Sequence, residues 1–456
     1  MPRRNLLAIA MVGAVSLLCW QSSHAKPKDE TMELYGVFVD AVEQVEANYY
    51  KKVDRRELLE SALRGMLQDL DPHSTYINEA DWKQFQRQIQ GSFIGIGIQV
   101  GFDNEAKRLK VIAPVVGSPA YAAGVLAGDL ILEIDGKSSE GLTPDKAVEV
   151  LQGRAGTEVK LLVMHAGSEK TETLTMNRAQ IEMPSVLGDV RKADDSWEYF
   201  LDKDKKIGYV RITSFIQNTT EELKKALKEL KDQGMTALIL DLRDNPGGLL
   251  TSAVEVSDLF IEDGTIVTTK GRNVRDKVYK ADKDGSFTGF PMVVLVNQHS
   301  ASAAEIVSAC LQDLDRALVV GQRSYGKGSV QNILPLEDGN SVLKLTTQTY
   351  WRPSGKNIHK AKNAKDKDEW GVSPSPGLTI KLSDEEYEEW ALARRDRDLL
   401  SHGKVAKPKD KDKDKDKDKD KEGDKPKKDE DKQLAKAIEV IKGKLAEASA
   451  TAKKEN

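Results

Sequence analysis

The sequence predicts a multidomain α+β protein, and three observations carry that prediction. Apolar residues between 31 and 90 recur at helical spacing, the texture turns to short strands from Gly91, and strands then alternate with helices from 181 to about 380. The chain of 456 residues is 39% hydrophobic and 31% charged, enough for real cores beside a very polar segment. Its length is that of about two to three domains. A net charge of -4, from 69 basic and 73 acidic residues, argues against a nucleic-acid binder, which would carry a basic excess.

Residues 1–25 read as a secretory signal peptide. Pro2-Arg3-Arg4 supplies positive charge, Leu6 to Leu18 is a short apolar stretch, and Ser23-His24-Ala25 offers a small-x-small cleavage site. An uncleaved anchor is the alternative. Leu17-Leu18 before Cys19 lacks the small residues of a lipoprotein signal. Cleavage near Ala25 would leave the mature protein in the periplasm or cell envelope. Its one cysteine, Cys310, could form no internal disulfide.

Residues 26–90 form a helical region, with Leu34, Val37, Phe38, Ala41, Val45 and Tyr49 on one face and Leu58, Leu59, Ala62, Leu63 and Met66 on another. A proline turn, "LDPHSTYI" at 70–77, interrupts them, and His73 reads as an ordinary turn histidine. Residues 91–180 make a small strand-rich domain with helices at Pro119–Ala123 and Pro144–Leu151. Residues 181–400 make a larger α/β unit: strands "IGYVRITSF" and "TALILDLRD", helices Glu221–Asp232 and Thr251–Leu259, strands near Ile266 and Val293, a helix after Ser302 and closing strands at "SVLKLTTQTYW". Residues 401–432, with alternating Lys and Asp from Lys409 to Asp420, cannot bury a core and read as a disordered linker. Residues 433–456 recover an amphipathic helix with Leu434, Ile438, Ile441 and Leu445 on one stripe. Such a helix is marginal alone, so docking onto a partner or a second copy would explain it.

Chemistry concentrates in three stretches. In "VVLVNQHSASAAEI" (293–306) a strand hands over to a helix at Ser300 and Ser302, where a nucleophile can sit beside free backbone N–H groups. A serine needs a base. Of the histidines, His73 sits in a proline turn, His402 borders the linker, His165 lies in the small strand-rich domain, His299 shares the tight turn of Ser302 and His359 has no obvious orienting acid beside it, so a Ser-His-Asp triad is not advertised. Lys327 in "GQRSYGKGSVQ" (321–331), flanked by glycines, is the other option. Its pKa of about 10.4 would have to fall by roughly three units, about 4 kcal/mol, and burial near a neutral group such as Gln331 could achieve this. On chemistry alone a solvated loop lysine is the commoner outcome. The third stretch, "LDLRDNPGGLL" (240–250), sets Gly247-Gly248 before a helix, which suits an oxyanion hole or simply a tight turn. The spacing of a phosphate loop is absent.

"NPGG", "SASAAEI" and "GKGSVQ", in that order behind a small strand-rich domain, resemble the carboxy-terminal processing (tail-specific) proteases over roughly residues 31–380. The resemblance implies a Ser-Lys dyad with a supporting glutamine. The family spacing, nucleophile 25 residues before the lysine and glutamine four after it, selects Ser302 over Ser300, with Lys327 and Gln331. It also implies an oxyanion hole at Gly247, Gly248 and Ala303, and a core of the Clp protease/crotonase-like kind. Glu305 matches a family acid of open role. Ala304 departs from the serine that relatives often carry there.

By the same resemblance residues 91–180 are a PDZ domain, which adds a peptide C-terminus as an extra strand on a sheet edge. Ser92, Phe93, Ile94 and Gly95 would be the carboxylate loop and Ile96–Val100, with Ile98, the pairing strand. Ala147, Val148 and Leu151 would line the groove. The implied protein is an exported serine endopeptidase for C-terminal tails, working through an acyl-enzyme with no metal or organic cofactor. A homo-oligomer built by the terminal helices, a tetratricopeptide-repeat lipoprotein adaptor and cell-wall hydrolase substrates are further family expectations. Two alternatives stay open: a Ser-His hydrolase using His359 or His299, and a PDZ adaptor that binds tails without cutting.

Overall fold

The computed structural model describes residues 30–398 and 431–455, apart from 193, 195 and 366. Residues 1–25, read as a signal peptide, and most of the polar stretch read as a linker lie outside the described residues. Two compact units are present: residues up to 78 together with 333–345, and residues 79–332 together with 346 onward.

In the first unit, helix α1 (Glu30–Asn48) is followed by α2 (Arg55–Gln68). The Asp54 carboxylate caps α2 by accepting the N–H groups of Arg56 and Glu57. The stretch read as a turn at 70–77 is only partly one. Asp71 accepts the N–H groups of His73 and Ser74, and strand β1 (Thr75–Ile77) then pairs antiparallel with Val342–Lys344. Arg56 grips Glu337 at 2.5 and 2.7 Å in the same unit. A three-residue strand whose partner is so remote has no local signature.

The second unit opens with α3 (Glu79–Gln90) and the strand-rich domain. Strand β2 (Ser92–Gly95) pairs with β8 (Ala179–Glu182). Between them lie β3 (Ile98–Asp103), β4 (Arg108–Pro114), β5 (Leu130–Ile134), β6 (Glu158–Met164) and β7 (Thr171–Asn177), hydrogen-bonded in that order with β3 at one edge. Helix α4 (Pro119–Ala122) starts at the Ser118 cap and α5 (Pro144–Leu151) at Thr143, each with proline in its first turn. Leu109, Ile131, Val159 and Leu161 of the sheet pack on Ala147 and Leu151 of α5.

The larger domain is built on four parallel strands, β9 (Ile207–Ile212), β10 (Ala237–Asp241), β11 (Met292–Val296) and β12 (Leu318–Gly321). Residues 207–212, 237–241 and 292–296 are buried without exception, so these strands read as near-continuous apolar runs in which Arg211 and Asp241 are buried charged residues. On one face Val210, Ile212, Leu238, Leu240, Val294 and Val296 meet helices α6 (Thr219–Asp232), α7 (Leu250–Asp258) and α8 (Ala303–Asp313). The opposite face, Ile207, Tyr209, Ile239, Val293 and Leu295, is covered by Leu434, Ala437 and Ile441 of the last helix. Helix α9 (Asp384–Asp398) precedes that helix, α10 (Lys432–Glu455). The C-terminal stripe, expected to seek a partner or a second copy, is therefore spent on the protein's own sheet.

Candidate active site

Two parallel strands deliver the site. Strand β11 ends at Val296, and the chain turns through Asn297–Ala301 into α8. Ser300 is wholly buried; its hydroxyl donates to the Leu242 carbonyl at 2.8 Å and accepts the Asn297 N–H at 2.9 Å. It is a structural turn residue. Ser302 stands at the helix N-terminus with φ 54° and ψ −112°, a conformation that costs a non-glycine residue energy. The strain is held by Glu305, which accepts the Ser302 N–H at 2.8 Å.

Glu305 is fully buried and joins both halves of the expected dyad. Its carboxylate also accepts the N–H groups of Gly326 (2.6 Å) and Lys327 (2.8 Å) and the Ser324 hydroxyl (2.5 Å). Burial raises its pKa above the ordinary carboxylate value, and the four donors oppose that rise. The residue whose role was open in the sequence thus ties the Ser302 turn to the Lys327 loop.

The glycines beside Lys327 have a steric reason. A Cβ on Gly328 would lie 2.2 Å from the His359 N, and one on Gly326 would lie 2.7 Å from the Lys360 Cβ. The Lys360 N–H donates to the Gly326 carbonyl at 2.9 Å. The close approach these glycines permit is to residues 359–360. Lys327 itself is half-buried. Gln331, on β13 (Ser329–Leu336), donates its amide to Ser329 at 2.8 Å and Thr346 at 3.1 Å. The histidine alternatives sit differently: the His299 ring packs against Tyr387 at 5.1 Å, and His359 contributes backbone to the lysine loop.

After β10 the chain runs through Asn245 to Gly247 and Gly248, at φ 98° and 146°. A Cβ on Gly247 would fall 2.7 Å from the Ser302 Cβ and 2.9 Å from the Ala303 N, so only glycine brings this turn against the serine. The Gly247 N–H donates to the Asn245 side chain at 2.8 Å. Among the described residues the Gly248 and Ala303 N–H groups have no protein acceptor. Of the three residues expected at an oxyanion hole, two keep a donor to offer, and Gly247 supplies the close approach. Tyr350, on β14 (Ser341–Trp351), was missed in the sequence. Burial pushes its phenol up to about 12, with the Ser302 side chain as its polar neighbour.

In the strand-rich domain β3 is an edge strand, and α5 packs beside it. Ile98 and Val100 are half-buried on that edge and Val148 of α5 is exposed. Leu151 and Ile96 are buried in the domain core, Ile96 to 1% exposed. Ser92–Gly95, expected as a loop, is strand β2, with Phe93 opposite Ile181. A Cβ on Gly95 would meet the Phe93 ring at 3.3 Å.

The model of peptidase family S41 matches residues 206–370, a PDZ domain model residues 110–164, and the activating protease CtpB N-terminal domain model residues 16–81. A carboxy-terminal-processing protease of Bartonella bacilliformis is 34% identical over 449 residues, covering 97% of this chain and 96% of that protein. The chain belongs to the carboxy-terminal processing proteases. The carboxy-terminal processing protease CtpA of Bacillus subtilis is 38% identical over 322 residues, 70% of this chain and 66% of that one. A solved photosystem II D1 C-terminal processing protease is 30% identical, with a TM-score of 0.43 over 75% of this chain and 92% of its own. This family member is a serine-type peptidase with a helical N-terminal region, a PDZ domain and an α/β peptidase core. Among the described residues no helix is long and apolar enough to cross a membrane.

Proposed function

We propose that this peptidase cleaves proteins captured by their C-terminal tails, using Ser302 as nucleophile and Lys327 as general base. The observation that carries the reading is the single buried carboxylate of Glu305, which accepts the N–H groups of both residues and so fixes their backbones together. Neutral Lys327 takes the hydroxyl proton as Ser302 Oγ attacks the scissile carbonyl. The oxyanion gathers at the N–H groups of Gly248 and Ala303, and the proton leaves with the amine. Water then hydrolyses the acyl-enzyme by the reverse proton path. Gln331, four residues after the lysine, would support it as a neutral polar side chain.

The tail would add to the open edge of β3, beside Ile98 and Val148, with the carboxylate toward Phe93–Gly95. Residues 1–25 would direct export to the periplasm or cell envelope. Helix α1 would join a second copy, and a tetratricopeptide-repeat lipoprotein adaptor and cell-wall hydrolase substrates remain family-level expectations. The test uses protein from Lys26 onward with an unfolded protein as substrate. Ser302→Ala and Lys327→Ala should each abolish cleavage, a loss of at least ~10³-fold, while circular dichroism stays unchanged. Cleavage surviving in the lysine variant would remove the dyad and return attention to histidine.

A further inference from the structure

We propose that Asp431 is a positioning residue of the hydrolytic site: through Arg243 it holds the Leu242–Gly248 turn on which the Gly248 donor stands. The inference rests on the proposed role of that turn as an oxyanion hole.

Arg243 lies two residues past the end of β10 and is 3% exposed. Its guanidinium meets Asp241 on one side, at 3.0 and 2.7 Å, and Asp431 on the other, at 2.8 Å from each of two nitrogens. Trp390 of α9 stacks 4.6 Å from the guanidinium and donates its indole N–H to Asp431 at 2.9 Å. The Tyr209 hydroxyl closes the set by donating to Asp241 at 2.7 Å. Burial works against the Asp431 charge, yet Arg243 outweighs it and the carboxyl titrates below its ordinary value. Next along the chain, Asp244 is held at φ 56° and accepts from Asn297 (2.8 Å) and from Tyr387 of α9 (3.1 Å).

From there the chain has no slack. The Asn245 N–H bonds Leu242, its carbonyl accepts the Ala301 N–H at 2.9 Å, and its side chain spans from the Ile212 carbonyl to the Gly247 N–H, both at 2.8 Å. A shift at Arg243 therefore reaches both Gly247 and the Ser302 turn. Asp431 is also the first residue of the α10 cap, accepting the Leu434 N–H at 3.0 Å. Asp431 thus serves both the start of α10 and the Arg243 end of the turn. Removing the Asp431 carboxylate leaves Arg243 paired with Asp241 but takes the chief acceptor from the nitrogen facing α10.

A purely structural role would be to staple α10 to the sheet, and kinetics separate the two. In the full chain Asp431→Ala and Asp431→Asn should lower kcat roughly 10- to 100-fold on an unfolded protein with KM within about twofold. Affinity for a peptidyl boronic acid, whose tetrahedral adduct places an oxygen in the hole, should weaken by a similar factor. Ile441→Ala, in the α10 stripe, should lower Tm at least as much yet keep kcat within about twofold. The inference is overturned by kcat and boronate affinity near wild type in Asp431→Ala, or by losses no larger than those of Ile441→Ala. Where wild-type turnover is too slow to follow, the boronate affinities alone decide. Ser302→Ala runs beside them: activity there would overturn this inference and the serine mechanism together, whereas an inert Ser302→Ala with a normal Asp431→Ala would remove only the role given to Asp431.

Discussion

Helix α1 keeps Met32, Leu34, Tyr35 and Val37 between 62% and 71% exposed, whereas helix α10 buries Leu434, Ala437 and Ile441 to 7% or less. Both are terminal segments with apolar residues at helical spacing, and in the sequence both pointed to assembly. The difference teaches that an apolar stripe states a need for cover and is silent about what provides it. For α10 the cover is the back of the parallel sheet, which would otherwise show Ile239, Val293 and Leu295 to water. For α1 no covering element exists among the described residues of its own unit, which makes it the surface on which a second copy is proposed to sit.

The sharpest way to break this comparison is a charge in the α10 stripe. Ile441→Asp should cost about 3 kcal/mol or more, roughly 5 °C in Tm or the outright release of α10, read by calorimetry and limited proteolysis. An unchanged Tm would mean the stripe is not buried. The matching change in α1, Leu34→Asp with Val37→Asp, should move Tm by no more than about 2 °C while lowering the mass measured by sedimentation. A constant mass would remove α1 from any assembly.

The smallest effect sharpens the contrast with a polar cover. In the PDZ domain His165 lies 2.9 Å from the buried Asp129 and 3.2 Å from Glu172, and the hydrogen bond to Asp129 raises its pKa. A raised imidazole pKa stabilises the fold fully below its free value of about 6.5 and loses that contribution as pH rises through the folded value. The Tm difference between wild type and His165→Gln should therefore shrink from pH 6 to pH 8. A difference that stays constant would show that protonation plays no part.

Much of the fold was legible because local chemistry specifies it. Mostly apolar runs at 207–212, 237–241 and 292–296 read as buried strands, and proline after a serine or threonine cap marked α4 and α5. Strand β1 was not legible, since three residues pair with 342–344 and no short-range pattern announces so distant a partner. The site divides likewise. Ser302, Lys327 and the paired glycines were singled out through the resemblance to the carboxy-terminal processing proteases, since chemistry alone left them ambiguous, whereas the burial of Ile96 in the domain core, just before Gly97 at φ 79°, had no signal in the sequence.

The order of residues by itself determined most of the element types and the strand-to-helix corner bearing two serines. Only the tertiary structure decided which serine is strained, that Glu305 holds the Ser302 and Lys327 backbones on one carboxylate, and that Asp431 reaches Arg243. The physical reason is reach. Conformational preference and hydrophobic period act over a few residues, but hydrogen bonds to a buried charge join whatever the packed sheet brings within about 3 Å, however far apart in the chain.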